Sequence, residues 1–267
     1  MPRLPILYVL VGQHGGPQFS PTVFKSLLCL WHKGVNFEIR ELVWTELRAK
    51  QEAWKKDRPT LPTLELPDEG RIIGDSNEIA AWLEEAYPDS PSLFLPDSTP
   101  SNASPGNLQA AKNYHKYVES TFGSPALLGV PFSPFFSAIH QGILGLIKED
   151  KDREYFTSDT KLGVPQGWQK LETLNQSEAI KQAKTFVKPL EALLKTSPFL
   201  NGKQPGMVDY TLFGRYAFQR VADPSTAKQI WKSPDTPRVA KWIERIEMRY
   251  AEQFAEQKSR WPADADS

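Results

Sequence analysis

The sequence has little that would support disulfide, metal or membrane chemistry. Its single cysteine, Cys29, excludes an internal disulfide and fits a reducing compartment. Cys29 and the four scattered histidines have no spacing typical of a metal site. No apolar run approaches the roughly 18 residues that a membrane helix needs. We therefore expect a cytoplasmic protein with no metal and no membrane partner.

The sequence also has no excess of positive or negative charge. The 32 basic and 32 acidic residues give a formal net charge of zero, and no run of Lys and Arg stands out. These features argue against a nucleic-acid partner. The apolar run Ile6–Val11 is too short for the core of a secretory signal and follows Pro5. It predicts a buried strand.

The first 90 residues alternate between strand and helix patterns in the order β-α-β-α-β-β-α. The predicted strands are 6–11, 37–43, a strand that begins at Leu61-Pro62, and 71–73. The predicted helices are a first helix that begins at Ser20-Pro21, a second at 46–56 and a third at 75–87. This order implies a small mixed sheet with helices on both faces. With a proline opening the third strand, the arrangement is thioredoxin-like. The first helix starts with Phe19-Ser20-Pro21-Thr22 instead of Cys-x-x-Cys, which excludes disulfide exchange.

Two segments of this half predict a binding slot. A proline opening a strand indicates a cis peptide that turns the backbone of Leu61 outward, where it can pair with another extended peptide. Asp75 is typical of an N-cap, with Glu78 as its reciprocal partner, and Ser76 adds a hydroxyl at a helix N-terminus that favours carboxylates. Together they predict a slot for a short, acidic, extended peptide. An ordinary trans turn and a plain cap are the alternatives.

The rest of the chain predicts helices. Residues 88–107 are rich in proline and predict a linker, and residues 126–136 are apolar and interrupted by proline. The predicted helices are 108–121, 139–148, 177–195, 207–221 and 239–254. Residues 207–221 are unusually apolar, which predicts the buried axis of this half. We expect a domain at 1–90, a linker at 91–107 and an all-helical domain at 108–267.

A small thioredoxin-like domain, a proline-rich linker and an all-helical domain together resemble the cytosolic glutathione transferases. The stretches that carry the resemblance are Ser20-Pro21, Leu61-Pro62-Thr63-Leu64, Asp75-Ser76 with its apolar helix, and Pro198–Gly202 leading into Asp209–Gly214. Within that family, Phe19-Ser20-Pro21, Trp31–Val35 and Arg153–Phe156 look most like the etherase-related, serine-type class, which includes many fungal members.

The resemblance implies glutathione as co-substrate and a homodimer. Backbone atoms of Leu61, beside a cis Pro62, would pair with the cysteinyl unit. Ser76 would hold the γ-glutamyl carboxylate, with Asp75 near its ammonium group. Lys50 and Trp44 are candidates for the glycyl carboxylate from their position alone. One departure is Gly206-Met207-Val208-Asp209, where the family usually has a Ser or Thr three residues before the Asp.

Ser20 stands where serine-type members place the catalytic hydroxyl. A hydroxyl and a helix N-terminus both stabilise a thiolate, although Ser20 could equally be a plain helix cap. Cys29 lies nine residues past the helix start and is interpreted as core, and Tyr8 lies in mid-strand. An apolar substrate site is expected between the domains. Its candidate walls are the loop Gln13-His14-Gly15 and the aromatic residues Tyr114, Tyr117, Phe132, Phe135, Phe136 and Phe213, each of the aromatic ones having core packing as its alternative.

The resulting hypothesis is a transferase that activates glutathione for attack on apolar, aromatic electrophiles, including aryl ethers. Two other classes stay open. One is a ligand-binding protein of the same fold that sequesters aromatic or polyphenolic compounds. The other is a structural or regulatory module, because this fold also occurs without catalysis.

Overall fold

A four-stranded mixed sheet organises the N-terminal half. The computed structural model describes residues 2–95, 105–123 and 132–263. The strands are β1 (Ile6–Leu10), β2 (Glu38–Leu42), β3 (Thr63–Leu66) and β4 (Arg71–Gly74), in the spatial order β2-β1-β3-β4. β2 is parallel to β1, and β3 is antiparallel to both β1 and β4. The small mixed sheet predicted from the sequence is confirmed.

Helices cover both faces of the sheet. They are α1 (Pro21–His32), α2 (Trp44–Ala49), α3 (Gln51–Trp54) and α4 (Ser76–Ala86). α1 and α4 pack on the face that carries Leu7 and Leu64, whereas α2 and α3 cover the face that carries Ile6 and Tyr8. The predicted helix 46–56 is two helices, because Lys50 ends α2 and Lys55, at φ 52°, ends α3.

The C-terminal half is built from helices. They are α5 (Pro105–Gly123), α6 (Pro134–Ser137), α7 (His140–Leu146), α8 (Asp150–Thr157), α9 (Asp159–Leu162), α10 (Gly167–Glu172), α11 (Gln176–Leu193), α12 (Met207–Ala222), α13 (Pro224–Trp231), α14 (Pro237–Arg249) and α15 (Ala251–Ser259). Within the described ranges, no helix combines the length and apolarity needed to cross a membrane. The mostly helical half predicted from the sequence is confirmed.

Five of these helices and one break differ from the sequence-based expectation. No helix is predicted for the segments of α6, α8, α9, α10 and α13, and the predicted helix 239–254 is divided between α14 and α15. The division falls at Tyr250, whose hydroxyl lies 2.5 Å from that of Tyr210 and whose ring packs on Trp31. Tertiary packing therefore ends α14. Of the predicted linker and the apolar segment, residues 96–104 and 124–131 lie outside the described part of the chain.

α12 is the buried axis that its composition predicts. All but three of its 16 residues are buried, and α1 of the N-terminal half lies directly against it. The approach is closest at Gly214, where a Cβ atom would lie 2.3 Å from the carbonyl oxygen of Pro21. A side chain therefore does not fit at this crossing. Gly214 allows α12 to support the first turn of α1.

Asp209 fastens the start of α12. Its carboxylate accepts hydrogen bonds from the backbone N–H groups of Leu200 (2.8 Å), Asn201 (3.0 Å) and Gly206 (3.0 Å), and from Trp242 Nε1 (2.7 Å). Burial raises the pKa of the Asp209 carboxyl to about 6, although its four donors favour the charged form. The missing hydroxyl at Gly206 has a steric reason, because a Cβ there would lie 2.7 Å from the carbonyl oxygen of Leu93.

We predict that Gly214→Ala lowers the free energy of unfolding by about 1–3 kcal/mol, because the new methyl group overlaps the backbone of α1. Gly145→Ala is the matched control, since a Cβ at Gly145 meets no atom within 4 Å and alanine is the better helix former. Urea unfolding of both variants measures the difference. Equal stability of the two variants would contradict the packing described for α1 and α12.

We predict that Asp209→Asn destabilises the protein by about 2–4 kcal/mol, because an amide nitrogen would face two of the four donors and leave them unpaired. Asp159→Asn is the control. Its exposed carboxylate also accepts two backbone N–H groups, from Gln166 and Gly167, but water can replace it there. Thermal unfolding at pH 7 should show a much larger loss for Asp209→Asn.

Candidate active site

Ser20 stands at the entrance to α1 with its hydroxyl free of the helix. Its backbone is extended (φ −69°, ψ 125°), and its carbonyl accepts the first helical hydrogen bond, from Phe24 N–H. The side chain makes no capping hydrogen bond to α1. It contacts Thr22 Oγ1 at 3.1 Å instead. A plain cap is therefore not the arrangement found here.

Thr22 connects Ser20 to the segment before β3. Its Oγ1 donates to the carbonyl oxygen of Leu61 at 3.3 Å. A hydroxyl has one proton, so Ser20 is the donor in its contact with Thr22. The Ser20 proton is thus directed by a chain of two hydroxyls, and a stronger acceptor placed near Ser20 can take it from Thr22.

The Leu61–Pro62 peptide is cis, as predicted. The backbone N–H of Leu61 has no hydrogen-bond partner in the described part of the chain. The carbonyl of Pro62 accepts from the N–H of Asp75 at 3.3 Å. This bond brings the two segments of the predicted slot together, because it joins the start of β3 to the start of α4.

Asp75 enters α4 in the left-handed region, at φ 88°, and its carboxylate accepts from Asn77 N–H at 2.7 Å. The predicted reciprocal bond from Glu78 is wrong, because the N–H of Asp75 is already bound to Pro62. Ser76 is buried at the first position of α4, and its hydroxyl has no partner among the described residues. This helix start therefore offers an unused hydroxyl.

An apolar cavity of about 270 Å³ opens beside Ser20. Both halves of the chain contribute to its walls. They consist of Leu10, Phe19, Ser20, Pro21, Trp44, Phe132, Phe136, Ile143, Phe156, Lys161, Leu162 and Phe218. Such a cavity can hold a small aromatic molecule next to the Ser20 hydroxyl.

Aromatic contacts give this cavity its shape. The Trp44 ring centroid lies 5.6 Å from that of Phe19 and 5.5 Å from that of Phe156. Phe136 lies 6.3 Å from Phe156 and 6.0 Å from Phe132. These rings belong to four separate stretches of the chain, and Phe156 lies on α8, a helix that the sequence pattern does not predict. Only the folded chain brings them together.

Several predicted site residues lie elsewhere. His14 is exposed and pairs with Glu46 at 2.9 Å, and Tyr114 and Tyr117 are exposed on α5. Phe135 and Phe213 are buried in the core, where Phe135 stacks on Phe122 and Phe213 contacts Phe254. Of the predicted wall residues, Phe132 and Phe136 line this cavity. His14, Tyr114, Tyr117, Phe135 and Phe213 lie outside its wall.

Two lysines lie on the α2 and α3 side of the sheet. Lys50 Nζ lies 5.5 Å from the centre of the Tyr8 ring. Lys56 Nζ lies against Gly74, so close that a Cβ on Gly74 would be 2.2 Å from it. Lys56 therefore places a cation just before Asp75, a position that the sequence pattern did not reveal. Trp44, predicted beside glutathione, is part of the cavity wall.

Among the described residues of the cavity wall, Lys161 on α9 is the one that carries a charge. Burial, with a further contribution from Arg58, lowers the pKa of its ammonium group. No pattern in the sequence indicates a functional role for this residue. In the described ranges, no cluster of three or more His, Cys, Asp or Glu side chains could hold a metal ion.

Comparisons with known proteins agree with the fold described above. Residues 19–86 match the family model for the glutathione S-transferase N-terminal domain. That range includes Ser20, Leu61, Pro62, Asp75 and Ser76.

Solved structures of glutathione transferases are similar to the whole chain. One from Phanerochaete chrysosporium is 20% identical, covers 96% of this chain and 98% of its own, and has a TM-score of 0.66. One of Ceriporiopsis subvermispora, in complex with glutathione, is 15% identical, covers 95% and 100%, and has a TM-score of 0.67. Poplar glutathione transferase F1 is 16% identical, covers 96% and 98%, and has a TM-score of 0.60. The chain therefore has the fold of the glutathione transferases, with a thioredoxin-like N-terminal half that matches their family model.

Proposed function

We propose that this protein is a glutathione transferase in which Ser20 activates the thiol of glutathione. The observation that carries the proposal is the position of the Ser20 hydroxyl. The hydroxyl makes no capping hydrogen bond to α1, and Ser20 lines an apolar cavity. Thr22 connects the hydroxyl to the carbonyl oxygen of Leu61. A thiol held beside Leu61 would therefore meet both the hydroxyl and the cavity.

The slot formed by Leu61 and the start of α4 suits the peptide part of glutathione. The unpaired N–H of Leu61 and its carbonyl can pair with the cysteinyl unit as a short extended strand. The γ-glutamyl carboxylate would accept from the Ser76 hydroxyl and the N-terminus of α4. The Asp75 carboxylate would pair with the γ-glutamyl ammonium group. The solved Ceriporiopsis subvermispora complex contains glutathione, which supports this choice of co-substrate.

Two features of the site favour the thiolate. The unperturbed pKa of a thiol is about 8.5, so only a few per cent is ionised at neutral pH. Ser20 would donate its proton to sulfur in place of Thr22, and the positive end of the 12-residue α1 would add to this effect. We expect the pKa of the bound thiol to fall by about 1–2 units, at about 1.4 kcal/mol per unit.

Lysine side chains are the proposed partners of the glycyl carboxylate. Lys50 keeps this assignment, and we add Lys56 because its ammonium group lies against Gly74, next to the helix start that would hold the other carboxylate. We withdraw Trp44 from this role, since its ring packs between Phe19 and Phe156 in the cavity wall.

The electrophile would occupy the cavity next to Ser20. Its volume and its aromatic walls suit one small aromatic ring system. The thiolate would attack an electrophilic carbon of that molecule and expel a leaving group, which in the case of an aryl ether is a phenolate. Assignment to the etherase-related serine class is part of the proposal. So are the domain limits of 1–90 and 108–267, the homodimer and the cytoplasmic location.

A ligand-binding protein of the same fold is the second candidate. The observation that favours it is the cavity itself, which could retain an aromatic or polyphenolic compound with or without chemistry. The Ser20 hydroxyl separates the two candidates, because a binder has no need of a thiolate. A regulatory module has no such feature in its favour.

We predict that Ser20→Ala raises the pKa of enzyme-bound glutathione by about 1–2 units, because the alanine cannot donate to sulfur. Thiolate absorbance against pH measures the change at saturating glutathione. Ser26→Ala is the control, since this second hydroxyl of α1 is buried and has no hydrogen-bond partner. It should leave the pKa unchanged.

Other results would change the assignment. A bound-thiol pKa that is equally low in Ser20→Ala would remove Ser20 from the chemistry while keeping glutathione. Failure of the unmodified protein to bind glutathione would favour the ligand-binding candidate.

We predict that Ser76→Ala weakens glutathione binding by about tenfold, as expected for loss of a hydrogen bond to a carboxylate. Ser177→Ala is the control, because Ser177 lies in the first turn of α11 and is exposed. Calorimetric titration with reduced glutathione measures both variants. Equal affinity in the two variants would place the γ-glutamyl carboxylate elsewhere.

A further inference from the structure

Lys161 is unusual among the residues that surround the cavity. The other described residues of the wall are apolar or aromatic apart from Ser20, and Lys161 is the charged residue among them. The side chain is half-buried, and it belongs to the short helix α9. A cation in apolar surroundings loses hydration, so this position costs free energy unless an anion compensates it.

Among the residues that the structure describes, no anion provides this compensation. Within the described ranges, no carboxylate lies within 4 Å of Lys161 Nζ. The nearest candidate along the chain, Asp159, is occupied by the backbone N–H groups of Gln166 and Gly167, at 3.0 and 3.1 Å.

A second cation acts on Lys161. Arg58 lies close enough to influence Lys161 electrostatically, and its guanidinium group donates to the carbonyl of Thr160 at 3.3 Å. Like Lys161, Arg58 has no acidic partner in the described part of the chain. The two cations together make this side of the cavity attractive to a negative charge.

We propose that the cavity accepts aromatic molecules that carry a carboxylate, and that Lys161 is the residue that determines this specificity. The ring would lie between Trp44 and the phenylalanines, and its carboxylate would pair with the Lys161 ammonium group. This inference deepens the proposed function, since it names the class of second substrate for the same site. An anion at this position would also raise the pKa of the Lys161 ammonium group, which burial and Arg58 lower.

A matched pair of ligands tests the proposal without turnover. We choose 3,5-dinitrobenzoate and its methyl ester, which share the ring and differ in the negative charge and the added methyl group. Neither has a leaving group at the 4-position. Calorimetric titration is carried out on the unmodified full chain in the absence of glutathione. The anion should bind about tenfold more tightly than the ester, as one charged hydrogen bond provides.

Three variants assign the effect to Lys161. Lys161→Met keeps the length of the apolar stem, and it should lose the preference for the anion while binding the ester unchanged. Lys161→Arg should retain the preference. Lys170→Met is the control, because Lys170 is exposed and bound to the carbonyl of Pro165. It should behave as the unmodified protein does.

Two results would overturn the inference. One is equal affinity of the unmodified protein for the anion and the ester. The other is an anion preference that survives in Lys161→Met.

A parallel titration with reduced glutathione separates this inference from the proposed function. Unchanged glutathione affinity in Lys161→Met is the expected result. Weaker glutathione binding with an unchanged anion preference would place Lys161 in the glutathione site and overturn the inference. Absence of glutathione binding to the unmodified protein would end the transferase proposal, while the ligand pair would still decide the role of Lys161.

Discussion

The crossing of α1 over α12 is the constraint on which the rest of the molecule depends. It is the place where the sheet half and the helical half meet most closely, and Gly214 permits it by leaving room for the backbone of Pro21. Because Pro21 begins α1, the same contact fixes the position of Ser20. The position of the proposed catalytic hydroxyl is therefore determined by the packing of α12, which begins 187 residues further along the chain.

Charges in the interior follow a consistent pattern that makes Lys161 distinctive. Lys25 and Lys33 are both almost fully buried, and each is paired with a carboxylate, Glu119 and Glu84 respectively. Asp209 is buried with four donors around it. Buried charges with such partners are stable parts of a fold. Half-buried Lys161 has no such partner among the described residues, which is why we propose a ligand as its partner.

The proposed site is assembled from hydrogen bonds that are individually ordinary. Thr22 joins Ser20 to Leu61, and the Pro62 carbonyl joins β3 to the start of α4 through Asp75. These bonds leave the Leu61 N–H and the Ser76 hydroxyl without partners at neighbouring points. Both groups are therefore available to a ligand, as the proposed binding of a short extended peptide requires.

The sequence by itself determined the features that depend on local chemistry. Ser20-Pro21 starts a helix, Lys33-Gly34 ends it, the proline at 62 opens a strand after a cis peptide, and the apolar stretch 207–221 forms the axis. Neighbouring residues decide each of these through backbone geometry and apolar periodicity. Tertiary structure decided what depends on distant residues. Phe132 and Phe135 are three positions apart, yet one lines the cavity and the other lies in the core, because different partners pack on them. Lys161 lines the cavity for the same reason. It lies on α9, a short helix that the sequence pattern does not predict and that tertiary packing places beside the cavity.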